Sequence, residues 1–166
     1  QQTQWAYDFA HDERLQIYLT NTLEAAEREA VNLWGPVRIL AEEAEKANEI
    51  KNELPIMVVL GNPPYSGHSA NQGKWIDNLL HGQLPDGSKG TSYYEVDGHR
   101  LRERNTKWLQ DDYVKFIRFG QWRIQQSGNG VLAYISNNGY LDNPTFRGMR
   151  QSLMETFSEI YLLDLH

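Results

Sequence analysis

The chain has 166 residues, with 16 Lys and Arg against 22 Asp and Glu, so its formal net charge is −6. This balance argues against a protein that holds nucleic acid through overall positive charge, although it leaves room for a local basic cleft. The absence of cysteine excludes disulfides, thiolate zinc sites and a cysteine nucleophile, and it fits a cytoplasmic protein. The sequence opens on Gln1 without an initiator Met, which we interpret as a cut in a longer polypeptide.

The first predicted elements are a strand and two helices. Residues 14–19 alternate polar and apolar side chains, which predicts a strand. The capping residue types at 20–22 end it. Residues 23–52 are rich in Ala, Glu and Lys and predict helix. Gly35 and Pro36 divide this stretch, so the second helix is predicted over about 37–51.

The middle of the chain combines an apolar run with a long polar connection. Residues 56–60 are five consecutive apolar residues, which predict a strand buried on both faces, as in a parallel sheet. Residues 66–105 are rich in Gly, Ser, Asn and His and show no sustained period. They predict a long loop with a short hairpin around 93–100. Loops of this length in compact domains are usually functional or disordered.

The C-terminal part is predicted to alternate helices with strands. The predicted elements are a helix over 106–126, a buried strand over 131–136, a helix over 144–157 capped by Asn143, and a strand over 159–165. This alternation predicts an α/β architecture, in which helices flank a parallel sheet.

One tetrapeptide stands out as a candidate catalytic motif. Asn62-Pro63-Pro64-Tyr65 follows directly on the predicted buried strand and Gly61. Ligands in open α/β sheets bind beyond the carboxyl ends of the strands, so the motif lies where a site is expected. The plain alternative is a proline-rich turn that closes the strand.

The residue types of this motif suit chemistry on a poorly nucleophilic amine. The lone pair of the exocyclic amine of adenine is delocalised into the ring, and two hydrogen-bond acceptors on its hydrogens would free it to attack a methyl donor. The side-chain oxygen of Asn62 and the backbone carbonyl of Pro63 can be these acceptors. Pro64 restricts Pro63 to an extended conformation, and Tyr65 offers a flat face for stacking. A base in a duplex must be flipped out to reach them.

Several stretches resemble a known family. Residues 58–66 resemble the catalytic motif of the N6-adenine DNA methyltransferases. Residues 111–124, 130–141 and 160–165 resemble the motifs that follow it in the large single-chain, type I-like (type ISP/IIG) restriction-modification enzymes. Residues 17–23 resemble the segment before the catalytic motif, at the adenine ring of the cofactor. The resemblance covers nearly the whole chain.

The resemblance implies a partial Rossmann-like, S-adenosylmethionine-dependent methyltransferase fold. Residues 1–166 would be the central and C-terminal part of the catalytic domain, with a functional loop at about 66–105. S-adenosylmethionine would be the cofactor of the full-length enzyme, and double-stranded DNA with a flipped adenine its substrate. The family's glycine-rich cofactor loop is not found, since Gly128-Asn129-Gly130 precedes a strand and is interpreted as a turn.

The missing loop has consequences for the isolated chain. We expect the fragment alone to be inactive and to bind the cofactor weakly. The rest of the parent polypeptide, which would carry the cofactor loop and the target-recognition domain, is the expected partner, and no membrane is expected.

Further residues are candidates with a plain alternative each. Thr20 and Asn21 are candidates for contact with the cofactor's adenine, or simply cap a helix. Four basic residues in the long loop and at its edge are candidates for DNA contact, or are only solvated: Lys74, Arg102, Arg104 and Lys107. Asn137 and Asn138 either shape the pocket or turn the chain, and Tyr140 is a candidate for a second stacking face. Lys115, Arg118 and Arg123 are predicted to be surface charges, and no metal site is predicted.

Other functions stay open at this point. Protein-glutamine and some RNA methyltransferases use the same tetrapeptide, so the acceptor could be an amide or RNA. A non-catalytic nucleic-acid-binding or scaffold domain that keeps the motif as a turn is the alternative outside enzymes.

Overall fold

A computed structural model of the chain describes residues 17–25, 36–65 and 69–164. The helices are α1 (Pro36–Asn52), α2 (Lys74–Leu80), α3 (Asp112–Ser127) and α4 (Arg147–Thr156), and short 3-10 turns span Lys107–Gln110 and Pro144–Phe146. The strands are β1 (Val58–Gly61), β2 (Glu95–Val96), β3 (His99–Arg100) and β4 (Val131–Tyr134). In this part of the chain, no helix is both long and apolar enough to cross a bilayer.

A parallel pair of strands forms the centre of the described structure. β1 pairs with β4 so that Val58 lies opposite Val131 and Gly61 lies opposite Tyr134. Parallel strands need a crossover connection, and here that connection contains α3. The mixture of helices with a small parallel sheet is compatible with the predicted α/β fold.

Helix α3 covers one face of this pair. A Cβ atom added to Gly120 would lie 2.5 Å from Cδ1 of Leu132 and 3.3 Å from both Cγ1 of Val59 and the hydroxyl of Tyr134. The absence of a side chain at Gly120 therefore lets the helix backbone approach the strands closely.

The predictions of a strand buried on both faces at 56–60 and of a buried strand at 131–136 are wrong for the described residues, since one face of each strand is exposed. The side chains on the face opposite α3 are exposed to solvent. The exposed fraction is 57% for Val58, 74% for Leu60 and 64% for Ile135. An apolar run shows that both faces suit burial, but it does not show which elements cover them.

Two terminal strands are also not observed. Residues 17–19 and 159–164 lie in no strand, while 14–16 and 165 fall outside the described residues. A strand requires a hydrogen-bonded neighbour, and an alternating or apolar sequence cannot supply one.

The long connection contains structure that its composition hides. Helix α2 begins at Lys74 and buries Ile76, Leu79 and Leu80, whose spacing is helical. The predicted hairpin is confirmed as β2 and β3, which pair antiparallel. Its two-residue turn, Asp97-Gly98, has positive φ at both positions (51° and 73°), as a type I′ turn requires.

The other helix predictions hold with small changes of boundary. The helix predicted over 37–51 is α1. The one over 106–126 is a 3-10 turn followed by α3, and the one over 144–157 is a 3-10 turn followed by α4. Asn143 caps the latter as predicted, since its Oδ1 accepts from the backbone N of Thr145 at 2.9 Å. Most of the first predicted helix lies at 26–35, outside the described residues.

Two apolar clusters form the core, and α3 contributes to both. The first contains Leu80, Tyr93, Leu109, Tyr113, Val114, Ile117, Phe146 and Met149. The second contains Leu23, Ile76, Leu79, Phe119 and Trp122. Helix α3 therefore joins the strand pair, α2 and α4 into one packed unit.

The prediction that Lys115, Arg118 and Arg123 are surface charges is wrong, because all three are buried. Arg118 Nε donates to the carbonyl of Leu79 at 2.7 Å, and Arg123 Nη2 donates to the carbonyl of Leu54 at 2.5 Å. Their acceptors come from segments distant in sequence, which helical spacing alone does not reveal. Burial of a cation is tolerated only where such acceptors are supplied.

Gly148 allows α4 to pack on the hairpin, and we expect Gly148→Ala to destabilise the chain. The new Cβ would lie 2.3 Å from the carbonyl oxygen of Glu95 and 2.4 Å from that of Tyr93, so backbone would have to move. We expect a loss of about 1–3 kcal/mol in the free energy of unfolding, measured by urea denaturation. Gly73→Ala is the matched control, since the nearest atom to its new Cβ would be the carbonyl oxygen of Leu23, 4.0 Å away. Equal stability of the two variants would contradict this packing.

Candidate functional site

The candidate motif leaves the sheet at the carboxyl edge of β1. The carbonyl of Gly61 accepts from the backbone N of Ile135 at 3.1 Å, so pairing continues one residue beyond β4. Asn62 therefore emerges beside the start of the loop that follows β4. The exposed side chain of Asn62 is accessible to a ligand that enters beyond the strand ends.

The exposure of the four motif residues differs. Asn62 and Pro64 are exposed, Pro63 is buried, and 55% of Tyr65 is accessible. The buried Pro63 anchors the segment, while the side chains of Asn62 and Tyr65 remain free to meet a ligand. This arrangement presents one acceptor and one aromatic face on the same short segment.

Tyr134 packs beneath the motif. A Cβ atom added to Gly61 would lie 3.3 Å from Cε1 of the Tyr134 ring, so the glycine leaves just enough room for that ring. Burial raises the pKa of Tyr134 to about 12. The ring is therefore a neutral group packed against Gly61, the residue before the motif, at ordinary pH.

The loop after β4 turns the chain at the same edge. Oδ1 of Asn137 accepts from the backbone N of Gly139 at 2.7 Å, and the carbonyl of Asn138 accepts from the backbone N of Leu141 at 2.9 Å. These contacts match the chain-turning interpretation of both asparagines.

Tyr140 is partly buried rather than open. Its ring centre lies 6.3 Å from that of Tyr113, and its carbonyl accepts from Nη1 of Arg150 at 2.7 Å. The same Nη1 donates to the carbonyl of Asn143 at 2.9 Å. Arg150 of α4 thus holds the loop through two of its backbone carbonyls, and the Tyr140 ring packs near that of Tyr113.

The candidate cofactor residues Thr20 and Asn21 differ in their contacts. Thr20 is exposed. Oδ1 of Asn21 accepts from the backbone N of Leu23 at 3.1 Å, which closes a local turn, and Nδ2 donates to Oδ1 of Asn71 at 3.2 Å. The Asn21 carbonyl accepts from Nζ of Lys51 at 3.1 Å. Asn21 therefore stabilises a local turn and is also joined to the loop beyond the motif.

Lys51 is a buried cation that packs this N-terminal segment onto the core. Its Nζ lies 5.0 Å from the centre of the Trp75 ring, within cation–π range. Burial lowers the pKa of Lys51 to about 8, against the opposing effect of Glu24.

Lys74 begins α2 and Lys107 begins the first 3-10 turn, while Arg102 and Arg104 lie in the irregular segment before that turn. Lys74, Arg102, Arg104 and Lys107 are all exposed. Nε2 of Gln110 donates to Oδ1 of Asp77 at 2.7 Å, which joins the 3-10 turn that begins at Lys107 to the helix that begins at Lys74. The structure therefore brings the turn of Lys107 against α2.

Trp108 adds an aromatic face to this basic stretch. Its side chain is 41% exposed, and Nζ of Lys107 lies 4.8 Å from its ring centre. Glu103 is paired with Arg147 at 2.6 Å, which neutralises the carboxylate within the stretch. A mainly cationic surface with an aromatic ring is a common arrangement in sites for single-stranded nucleic acid.

A buried polar network, which sequence reasoning did not find, holds the loop beyond the motif. Oγ of Ser69 donates to Oδ1 of Asp112 at 2.5 Å, and Nδ2 of Asn71 donates to the same oxygen at 3.0 Å. Nζ of Lys115 donates to Oγ of Ser69 at 2.9 Å and to the carbonyl of Asn71 at 2.6 Å. The available signal was the spacing of Asp112 and Lys115, three residues apart on one helix face.

The described residues do not by themselves fit the tail of S-adenosylmethionine. The two parallel strands are followed by Asn62-Pro63-Pro64 and by Ile135-Ser136-Asn137, and neither is a glycine-rich turn that would present backbone N–H groups. The described part of the chain also has no cluster of His, Asp and Glu suited to a metal ion. Its polar groups at the strand ends suit an uncharged amine better than an anion.

Two solved DNA complexes are similar to this chain. The "ATP-dependent Type ISP restriction-modification enzyme LlaBIII bound to DNA" is 29% identical, over 85% of this chain and 9% of that chain, with a TM-score of 0.55. The "DrdV-DNA complex", a cryoEM structure, is 27% identical, over 89% of this chain and 13% of that chain, with a TM-score of 0.59. No protein-family profile and no curated protein sequence matches.

These similarities support the predicted relation to a region of restriction-modification enzymes. The chain spans only about a tenth of the length of either structure. The methyltransferase assignment, the site residues and the cofactor stay predictions.

Proposed function

We propose that this chain is the part of an adenine-N6 DNA methyltransferase, within a restriction-modification enzyme, that binds the target amine. The observation that carries this proposal is the position of Asn62-Pro63-Pro64-Tyr65, which leaves β1 at the carboxyl edge of the parallel pair with Asn62 and Tyr65 exposed. The similarity to LlaBIII bound to DNA supports DNA as the substrate.

The chemistry asked of these residues is orientation and electrostatic stabilisation. S-adenosylmethionine supplies the methyl group when bound. Oδ1 of Asn62 and the carbonyl of Pro63 accept the two hydrogens of the adenine N6 amine, which directs its lone pair toward the donor. Tyr65 stacks on the flipped base and replaces part of the stacking lost in the duplex.

We expect the exposed basic residues Arg102, Arg104 and Lys107 to contribute electrostatic affinity for DNA. Replacing Arg102, Arg104 and Lys107 together with Ala in the natural-length polypeptide should weaken DNA binding and lower the slope of log K against log[salt] by about 0.9 per lost phosphate contact. Fluorescence anisotropy at several salt concentrations measures both quantities.

The control for this charge change is an exposed lysine on another element, outside the basic stretch at 102–107. Lys46→Ala removes an exposed cation from α1 and should leave the salt slope unchanged. An unaltered slope in the triple variant would contradict the assignment of this surface to DNA.

The proposed substrate is tested by offering competing acceptors. The natural-length polypeptide is incubated with methyl-labelled S-adenosylmethionine and duplex DNA, structured RNA or a cell protein extract in parallel. The proposal expects label in DNA. Label confined to RNA or protein would keep the amine chemistry and refute the DNA substrate, and no label in any acceptor would favour a non-catalytic domain.

A further inference from the structure

The polar network beyond the motif connects two segments that the proposed function uses. Its centre is the hydroxyl of Ser69, which donates to the carboxylate of Asp112 and accepts from the ammonium of Lys115. Both charged residues are buried and Ser69 is partly buried, so their hydrogen bonds to the loop are partly shielded from water. Charge-assisted bonds in such surroundings are stronger than bonds between neutral groups.

This network fixes the far end of the loop that carries the motif. The near end is held by β1 through Gly61, and the far end is held at Ser69. From Tyr65 to Ser69 the chain can span at most roughly 14 Å, given about 3.5 Å per residue. The anchoring point at Ser69 therefore restricts where Tyr65, and through it the motif, can lie.

Asn71 extends the network to the N-terminal segment. Its Nδ2 donates to Asp112, and its Oδ1 accepts from Nδ2 of Asn21. Asn21 is a candidate contact of the cofactor, so one side chain joins that segment to the end of the motif loop.

We infer that Ser69 and Asn71, held by Asp112 and Lys115, are positioning residues that fix the Asn62–Tyr65 loop and couple it to the segment of Asn21. The inference rests on the proposed function for its catalytic consequence, and on the hydrogen bonds alone for its structural part. None of the four residues has to contact the substrate. They act by keeping the acceptors of the motif at one position relative to the methyl donor.

The experiment compares a double variant with two controls in the natural-length polypeptide. Ser69→Ala combined with Asn71→Ala removes the side-chain bonds of the loop while leaving the buried Asp112 and Lys115 in place. Both altered residues are only partly buried, so α3 should fold normally. Ser69→Thr keeps the hydroxyl and should retain function, and Ser88→Ala is a matched control, since its exposed hydroxyl donates to the neighbouring Asp86.

The first measurement does not depend on activity. Hydrogen–deuterium exchange of the peptide that covers 61–69 should become about 10-fold faster in the double variant and remain unchanged in both controls. Unchanged exchange in the double variant would overturn the inference. This result stands whether or not the protein transfers a methyl group.

The second measurement separates positioning from loss of folded enzyme. In single-turnover methylation, the rate constant should fall about 10-fold in the double variant, because misplacement of reacting groups slows the chemical step. The amplitude, which counts active molecules, should stay the same. A lower amplitude with an unchanged rate constant would mean a merely structural role and would overturn the coupling, whereas an inactive wild-type protein would refute the proposed function alone.

Discussion

Asn62→Ala should lower the rate of methyl transfer by about 100-fold or more in the natural-length polypeptide, because it removes one of two preorganised groups that stabilise the reacting amine. The Asn62 side chain is exposed at the strand end, so its removal should leave no cavity in the core. Single-turnover transfer of a labelled methyl group to duplex DNA measures the rate. Binding of the same DNA, measured without cofactor, should change far less.

Two further variants make this result specific. Asn62→Asp keeps an oxygen acceptor and should retain more activity than Asn62→Ala. Asn78→Ala removes an exposed amide from α2 and should have the rate of the wild type. If Asn62→Ala transferred methyl groups as fast as the Asn78 variant, the motif would have no catalytic role.

Arg118→Ala should have the largest effect on stability, lowering the free energy of unfolding by about 3–5 kcal/mol. The side chain is fully buried, with 0% exposure. Its Nε donates to the carbonyl of Leu79 at 2.7 Å and its Nη1 donates to Oε1 of Gln121 at 3.0 Å. The guanidinium carbon also lies 5.6 Å from the ring centre of Tyr93. Truncation removes these two donors, while the Leu79 carbonyl still accepts from the backbone N of Gly82 and Gln121 Oε1 from the Tyr93 hydroxyl, and it opens a cavity beside Tyr93 between α2 and α3.

Urea denaturation of the 166-residue chain, followed by tryptophan fluorescence, measures this loss. Arg118→Met fills most of the cavity and should cost less than Arg118→Ala, since the hydrogen bonds and the cation contact with the Tyr93 ring are lost but the packing is largely kept. Arg102→Ala removes an exposed arginine and should stay within about 0.5 kcal/mol of the wild type. A similar small effect for Arg118→Ala would contradict the buried network.

Local patterns in the sequence predicted local structure well. The predicted hairpin is present, and its turn residues Asp97-Gly98 suit the positive φ angles of a type I′ turn. The cap at Asn143 followed from residue type, and α1 from composition. In each case the determining interactions lie within a few residues of each other, so the sequence contains them directly.

The errors concern interactions between distant segments. Lys115 looks like a surface charge by type, but its partners Ser69 and Asn71 lie more than 40 residues away. The apolar side chains of Leu60 and Ile135 suit burial, yet no described element covers them. Type and spacing indicate what a side chain tolerates, while its neighbours depend on the tertiary fold.

For the candidate site, the sequence indicated the chemistry and the strand edge, whereas the supporting contacts came from the structure. The position of Asn62 after β1 could be predicted, because an apolar run followed by glycine marks a strand end. The support of the motif by Tyr134 and by the network at Ser69 could not, since both contacts join segments that are far apart along the chain.

The most direct test of the proposed function is the identity of the base that receives the methyl group. Duplex DNA is incubated with the natural-length polypeptide and tritiated S-adenosylmethionine, then digested to nucleosides and separated by chromatography. We predict that the label elutes as N6-methyladenine and that it disappears with Asn62→Ala. Label on another base, or label on adenine that is independent of Asn62, would contradict the catalytic role proposed for the motif.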